Sequence, residues 1–115
     1  MTTNALDIEK MRLAASSACG LLRVLANEDR LLLLCQLTEG ERCVSELEAL
    51  LDIRQPTLSQ QLGVLRNEGL VSTRREGKNI YYQIAQQEVL TLLQVMHDLY
   101  CPPTAEKSKR TSKKG

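Results

Sequence analysis

Up to residue 69 the apolar positions recur every three or four residues; they then alternate, and the helical period returns near residue 86. Leu6, Met11, Leu13, Ala14, Leu21, Leu22 and Leu25 predict a helix over about 6–25, with a weak point at Gly20. Asn27 reads as the N-cap of a second helix over 28–38, because Glu28 and Asp29 follow it where negative charge suits a helix N-terminus. The run from Leu31 to Leu34 marks this as the central buried helix, and Gly40 is its expected stop. A short helix over 43–51 turns Val44, Leu47, Leu50 and Leu51 inward. Asp52, Ile53 and Arg54 form a tight turn behind it. Pro56 suits the first position of the next helix, which carries a buried stripe of Leu58, Leu62 and Leu65 and ends at Gly69.

The alternation after Gly69 predicts two strands, one through Leu70, Val71 and Thr73 and one through Ile80, Tyr82 and Ile84. Glu76 to Asn79 form the turn between them. A last helix over 86–100 carries Val89, Leu90, Leu92, Leu93, Val95, Met96 and Leu99, so it is apolar nearly all round. One domain face cannot absorb that much apolar surface, and a second copy of the chain is the expected partner. Pro102 and Pro103 stop the helix.

Two short helices joined by a tight turn and followed by a hairpin spell a winged helix-turn-helix. The fold class expected is mainly α with a small β-hairpin: about five helices plus a two-stranded wing, homodimeric. With 115 residues and 43% apolar content, the chain has enough for one core. Residues 1–101 read as one DNA-binding and dimerisation domain, and 102–115 as a disordered basic tail. The net charge of +1 hides this division. Residues 1–101 hold ten cations against thirteen acids, whereas the tail holds Lys107, Lys109, Arg110, Lys113 and Lys114 against Glu106 alone.

No run of about 18 apolar residues exists and the N-terminus is polar, so neither a membrane span nor a secretory signal is expected. A cytoplasmic setting would keep Cys19, Cys35, Cys43 and Cys101 reduced. Their spacing offers no C-x-x-C pair, which leaves inert thiols, a metal site and a redox switch all open. With one histidine, no Ser/His/Asp grouping and no Gly-rich phosphate loop, catalysis is not expected, nor is a cofactor.

The candidate chemistry lies on the helix over 56–68 and on the hairpin. Thr57, Ser59, Gln60 and Gln61, with Gln55 just before them, are short polar groups that can pair with base edges and phosphates of double-stranded DNA. Gly63 and Asn67 share that face, and no acid interrupts it before Glu68. Arg74, Arg75 and Lys78 near the hairpin tip are the expected phosphate or minor-groove contacts.

The stretches Cys43-Val44-Ser45-Glu46-Leu47, Gln55-Pro56-Thr57-Leu58-Ser59-Gln60-Gln61-Leu62-Gly63-Val64-Leu65-Arg66 and Glu68-Gly69-Leu70-Val71 resemble the arsenic-repressor (ArsR/SmtB) family of bacterial winged-helix sensors. Arg30-Leu31 and the wing segment from Arg74 to Tyr82 fit it too, so that the resemblance covers roughly residues 18–101. It implies a homodimer that represses by occupying an operator and lets go when an inducer binds. Gln61 is a departure, since many members carry His there.

Two inducer classes follow from the resemblance. Metal- or metalloid-responsive members clamp the ion with paired cysteines, but here Ser45 stands at the second position, leaving Cys43 or other thiols as the alternative. Glu88 and His97, the zinc-type candidates of the last helix, lie nine residues apart and on opposite faces, so no metal site is expected. The contexts of Cys35 and Cys101, 66 residues apart, instead resemble the dithiol persulfide and redox sensors of the family. There the two thiols are bridged by reactive sulfur species or oxidants, which would release the operator. Read from the residues alone, Cys35 in its leucine-rich run is more readily an inert core thiol. Cys101 sits at a helix C-terminus that disfavours its thiolate, with His97 four residues back on the same face.

Overall fold

The computed structural model describes residues 5–101, apart from the side chain of Leu6. The elements run α1 (Ala5–Leu25), α2 (Glu28–Leu37), β1 (Arg42–Cys43), α3 (Val44–Leu51), α4 (Thr57–Asn67), β2 (Val71–Glu76), β3 (Asn79–Ile84) and α5 (Gln87–Tyr100). All five helices and both long strands expected from the periodicity are present. The expected tail, 102–115, lies outside the described residues.

Each boundary has a local cause. Asn27 caps α2 by accepting the Arg30 backbone N–H at 3.0 Å on its side-chain oxygen. Asp52, in the left-handed region at φ 56°, makes the turn that separates α3 from α4. Gly69, at φ 79°, ends α4 and lets the Leu70 N–H reach back to the Leu65 carbonyl at 3.0 Å. Pro56 precedes α4 as its N-cap instead of opening it, and the helix starts at Thr57.

The core is a layer of leucines. Leu33 and Leu34 of α2, Leu47 of α3, Leu58 and Leu65 of α4 and Val89 of α5 have no exposed surface. Leu62 and Leu93 join them with 1%. The i, i+4, i+7 stripe of α4 therefore packs on α2, which leaves the opposite side of α4 to solvent.

The two-stranded hairpin of the wing forms as expected, and the sheet adds to it a strand that the sequence did not suggest. Three strands form in the order β1-β3-β2, all antiparallel. Arg42 and Cys43, expected as loop and helix start, pair with Tyr82 and Tyr81. Two further expectations fail on burial: Leu32 of α2 and Leu50 of α3 are 46% and 55% exposed. Most of α1 also stays uncovered, with Met11, Leu13 and Leu22 exposed and only its end, Val24 and Leu25, in the core. No helix among the described residues is long and apolar enough to cross a membrane.

Candidate functional site

The outer side of α4 and the wing form one polar surface. Gln55, Thr57, Ser59 and Gln60 are all exposed at the start of the helix. The Ser59 hydroxyl donates to the Gln55 side-chain oxygen at 2.5 Å, which orders the two as a pair. No acidic residue lies in the first turn of α4, so its N-terminal end is open to an anion.

Gln61 is set apart from this row. It is half-buried, and its side-chain oxygen accepts from Arg30 Nη1 at 2.9 Å. Arg30 also donates through Nε to the Val24 carbonyl at 2.6 Å and through Nη2 to the Arg23 carbonyl at 3.5 Å. One guanidinium thus fastens the end of α1 and the middle of α4 to α2. Sequence reasoning counted Arg30 only as part of a family pattern and gave it no role. Its donors are called for by carbonyls six and seven residues back, which no local pattern reveals.

The wing cations divide in the same way. Arg75 and Lys78 are exposed, and among the described residues no side-chain hydrogen bond or ion pair engages the cationic group of either. Lys78 follows Gly77, whose φ of 63° makes the hairpin turn. Arg74 is engaged on several sides. Its Nε and Nη2 reach the two carboxylate oxygens of Glu41 at 2.6 and 2.8 Å, and its Nη1 reaches Glu76 at 2.7 Å. Its guanidinium also lies 4.8 Å from the ring centre of Tyr81, the residue opposite it on β3. The Arg74 hydrogen bonds hold the Glu41 carboxyl below the usual carboxylate range, and the two acids push Arg74 upward. Glu41 and Tyr81 were absent from the sequence-derived candidates, since Glu41 lies 33 residues from its partner.

At its C-terminal end, α2 carries a second candidate site, where it and α5 bring two thiols into one neighbourhood. Cys35 is half-buried on the last turn of α2, and Cys101 is exposed as the C-cap of α5. Burial, and after it the charge of a Cys101 thiolate, pushes the Cys35 thiol above its ordinary value. The two sulfurs are therefore near enough for one charge to be felt at the other. Cys35 opens on a cleft of about 420 Å³ that lies between Leu32, Gln36 and Glu39 on one side and Leu93, Gln94 and His97 on the other. A small reagent thus has a path to the sulfur.

The other cysteines are placed differently. Cys43 is buried at the N-terminus of α3, where its N–H donates to Glu46 at 2.9 Å and its sulfur lies 3.3 Å from the Ser45 hydroxyl. Cys19 is exposed on α1. Among the described residues, no three of His, Cys, Asp and Glu come together in a group able to hold a metal ion.

Comparison with known proteins places this geometry. Residues 27–73 match the family model described as bacterial regulatory protein, arsR family. The chain is 48% identical over 98 residues to the biofilm growth-associated repressor of Agrobacterium fabrum, covering 85% of this chain and 84% of that one. The structure of reduced HlyU from Vibrio cholerae superposes with a TM-score of 0.78 at 40% identity, over 81% of this chain and 98% of the other. That of the transcriptional repressor BigR from Xylella fastidiosa does so with a TM-score of 0.75 at 44% identity, over 81% and 92%.

Proposed function

Because the chain belongs to the arsR family of bacterial regulatory proteins, we propose that it is a homodimeric transcriptional repressor, acting in the cytoplasm on double-stranded operator DNA and released by reaction of the Cys35/Cys101 dithiol. Two of its similar proteins are named as repressors, which supports the sign of regulation. The exposed apolar residues of α1 and α5, among them Met11, Leu13, Val95, Leu99 and Tyr100, supply the surface a second copy would cover. Gln55, Thr57, Ser59 and Gln60 then face base edges, while Arg75 and Lys78 reach phosphates. Two recognition helices must sit about 34–36 Å apart to enter successive major grooves.

The observation that carries the switch is the cleft that Cys35 of α2 shares with Leu93, Gln94 and His97 of α5, the helix that Cys101 caps. The donor is a low-molecular-weight persulfide. The Cys35 thiolate takes its outer sulfur, which gives a Cys35 persulfide and frees the donor's thiol. The Cys101 thiolate attacks the Cys35 sulfur and expels hydrosulfide, leaving a disulfide. A second donor first lengthens the chain by one sulfur; attack of the Cys101 thiolate on the middle sulfur then expels hydrosulfide and leaves a trisulfide. With hydrogen peroxide as oxidant, the two thiols yield the disulfide and two waters. In each case the bond ties α2 to α5, the helix on which the dimer face lies, and biases the recognition helices away from operator spacing. A 10- to 100-fold loss of affinity requires about 1.4–2.8 kcal/mol of coupling. Genes for sulfide handling or oxidant defence are the expected targets.

Fluorescence anisotropy on DNA from upstream of the protein's own gene tests this. Reduced protein binds, persulfide treatment lowers affinity at least 10-fold, and dithiothreitol restores it. Cys35→Ser and Cys101→Ser bind as the wild type does and are not released. Release of Cys35→Ser by persulfide refutes the dithiol mechanism.

A further inference from the structure

Arg74 has the sequence position of a DNA contact but little of the chemistry left to make one. Nε, Nη1 and Nη2 each donate to a carboxylate, and the guanidinium lies over Tyr81. Two acids against one cation leave no positive charge in surplus for a phosphate. Glu41, the bidentate partner, belongs to the loop that leaves α2, and the first residue of that loop is itself fastened there. The Thr38 hydroxyl donates to the Cys35 carbonyl at 2.6 Å. Immediately after Glu41, Arg42 pairs with Tyr82 of β3. The wing is thus attached to the end of α2 twice, by the β1–β3 ladder and by the Glu41–Arg74 pair.

We propose that Glu41 and Arg74 form a strut that sets the posture of the wing against α2. On this account Arg74 is a positioning residue, and the phosphate contacts are Arg75 and Lys78. This rests on the DNA-binding reading above and adds to it which wing residues touch DNA and which aim them. A single exposed ion pair is usually worth little. This one is bidentate, shares its cation with a second acid and a ring, and fixes an arginine, whose planar fork loses little freedom when so held. Its position on the loop following Cys35 also makes it a physical connection between the thiol-bearing helix and the wing.

The competing account is that Glu41 shields Arg74 from phosphate, and the two differ in sign. With reduced protein and operator DNA, the strut requires Glu41→Gln and Arg74→Gln each to weaken binding about 3- to 10-fold. The slope of log affinity against log salt stays that of the wild type, and the double variant is no weaker than either single one. Arg75→Gln and Lys78→Gln must each flatten the slope by about 0.9 for every phosphate they no longer neutralise, hence about 1.8 per dimer. Tighter or unchanged binding by Glu41→Gln overturns the strut, as does a flattened slope in Arg74→Gln. Amide exchange of β2 and β3 in the DNA-free protein gives a readout that does not need the operator. Glu41→Gln and Arg74→Gln must speed it about 3- to 10-fold, and unaltered exchange also overturns the strut. If wild-type protein binds no duplex, the DNA-binding reading falls while the exchange still decides the strut.

Discussion

The side-chain oxygen of Gln61 lies 2.9 Å from Nη1 of Arg30, so the recognition helix is tethered to α2 by a side chain as well as by its leucine stripe. The same guanidinium satisfies the Val24 carbonyl in a part-buried setting. Arg30→Met is expected to lower stability by about 1.5–3 kcal/mol, since it leaves acceptors without a charged donor. Gln61→Ala should cost less, about 1 kcal/mol. Denaturant unfolding checks both. An Arg30→Met midpoint equal to that of the wild type means the tether carries no load.

Cys35 offers a pH signature. Its thiol is pushed up first by burial and second by the Cys101 charge, so the thiolate is scarce at neutral pH and alkylation by iodoacetamide accelerates only above the ordinary thiol range. In Cys101→Ser the smaller cause is gone and the larger remains. The midpoint of the rate–pH profile should therefore fall, yet stay above that of an unburied thiol. A midpoint unmoved by Cys101→Ser would separate the two sulfurs.

The Glu41 carboxyl is displaced the other way. Because the Arg74 hydrogen bonds hold it down, it stays charged below the usual carboxylate range, and the pair is lost only as pH falls through that lowered value. Carboxyl-detected NMR titration should find a low Glu41 midpoint that rises in Arg74→Gln. The same midpoint in both proteins would show that the two side chains do not meet in solution.

Leu99 and Tyr100 are 70% and 79% exposed beside Cys101, at the end of a helix whose other face is core. Leu99→Glu should leave the fold intact and shift the protein from dimer to monomer in light scattering, with operator affinity falling at least 10-fold. A Leu99→Glu dimer of undiminished affinity would place the subunit contact elsewhere.

Much of the framework was legible in the chain because stripes such as Leu58, Leu62 and Leu65 state both an element and its buried side. What stayed hidden depends on residues far apart in sequence. The two-residue β1 exists only because Tyr81 and Tyr82 lie alongside it, some forty positions later. Arg74 reads as a free cation until Glu41 is folded against it. Leu32 and Leu50 carry the same side chain as Leu33 and Leu47 yet point outward, since a helix with apolar residues on adjacent faces does not announce which face has a neighbour within the chain. The nearness of Cys35 and Cys101 was suggested by family likeness alone, because a gap of 66 residues has no geometric meaning.

The third strand also bears on how the protein keeps its own company. With β3 in the middle, its longest run of hydrogen-bonding groups is used on both sides near Tyr81 and Tyr82. Of the two remaining borders, one is only Arg42 and Cys43 long, and the other carries Arg74, Arg75 and Glu76. Short or charged borders are poor templates for a stray strand. A regulator that must expose a polar wing to find DNA, and apolar helices to find its twin, is thereby spared a third and unwanted kind of adhesion, sheet to sheet.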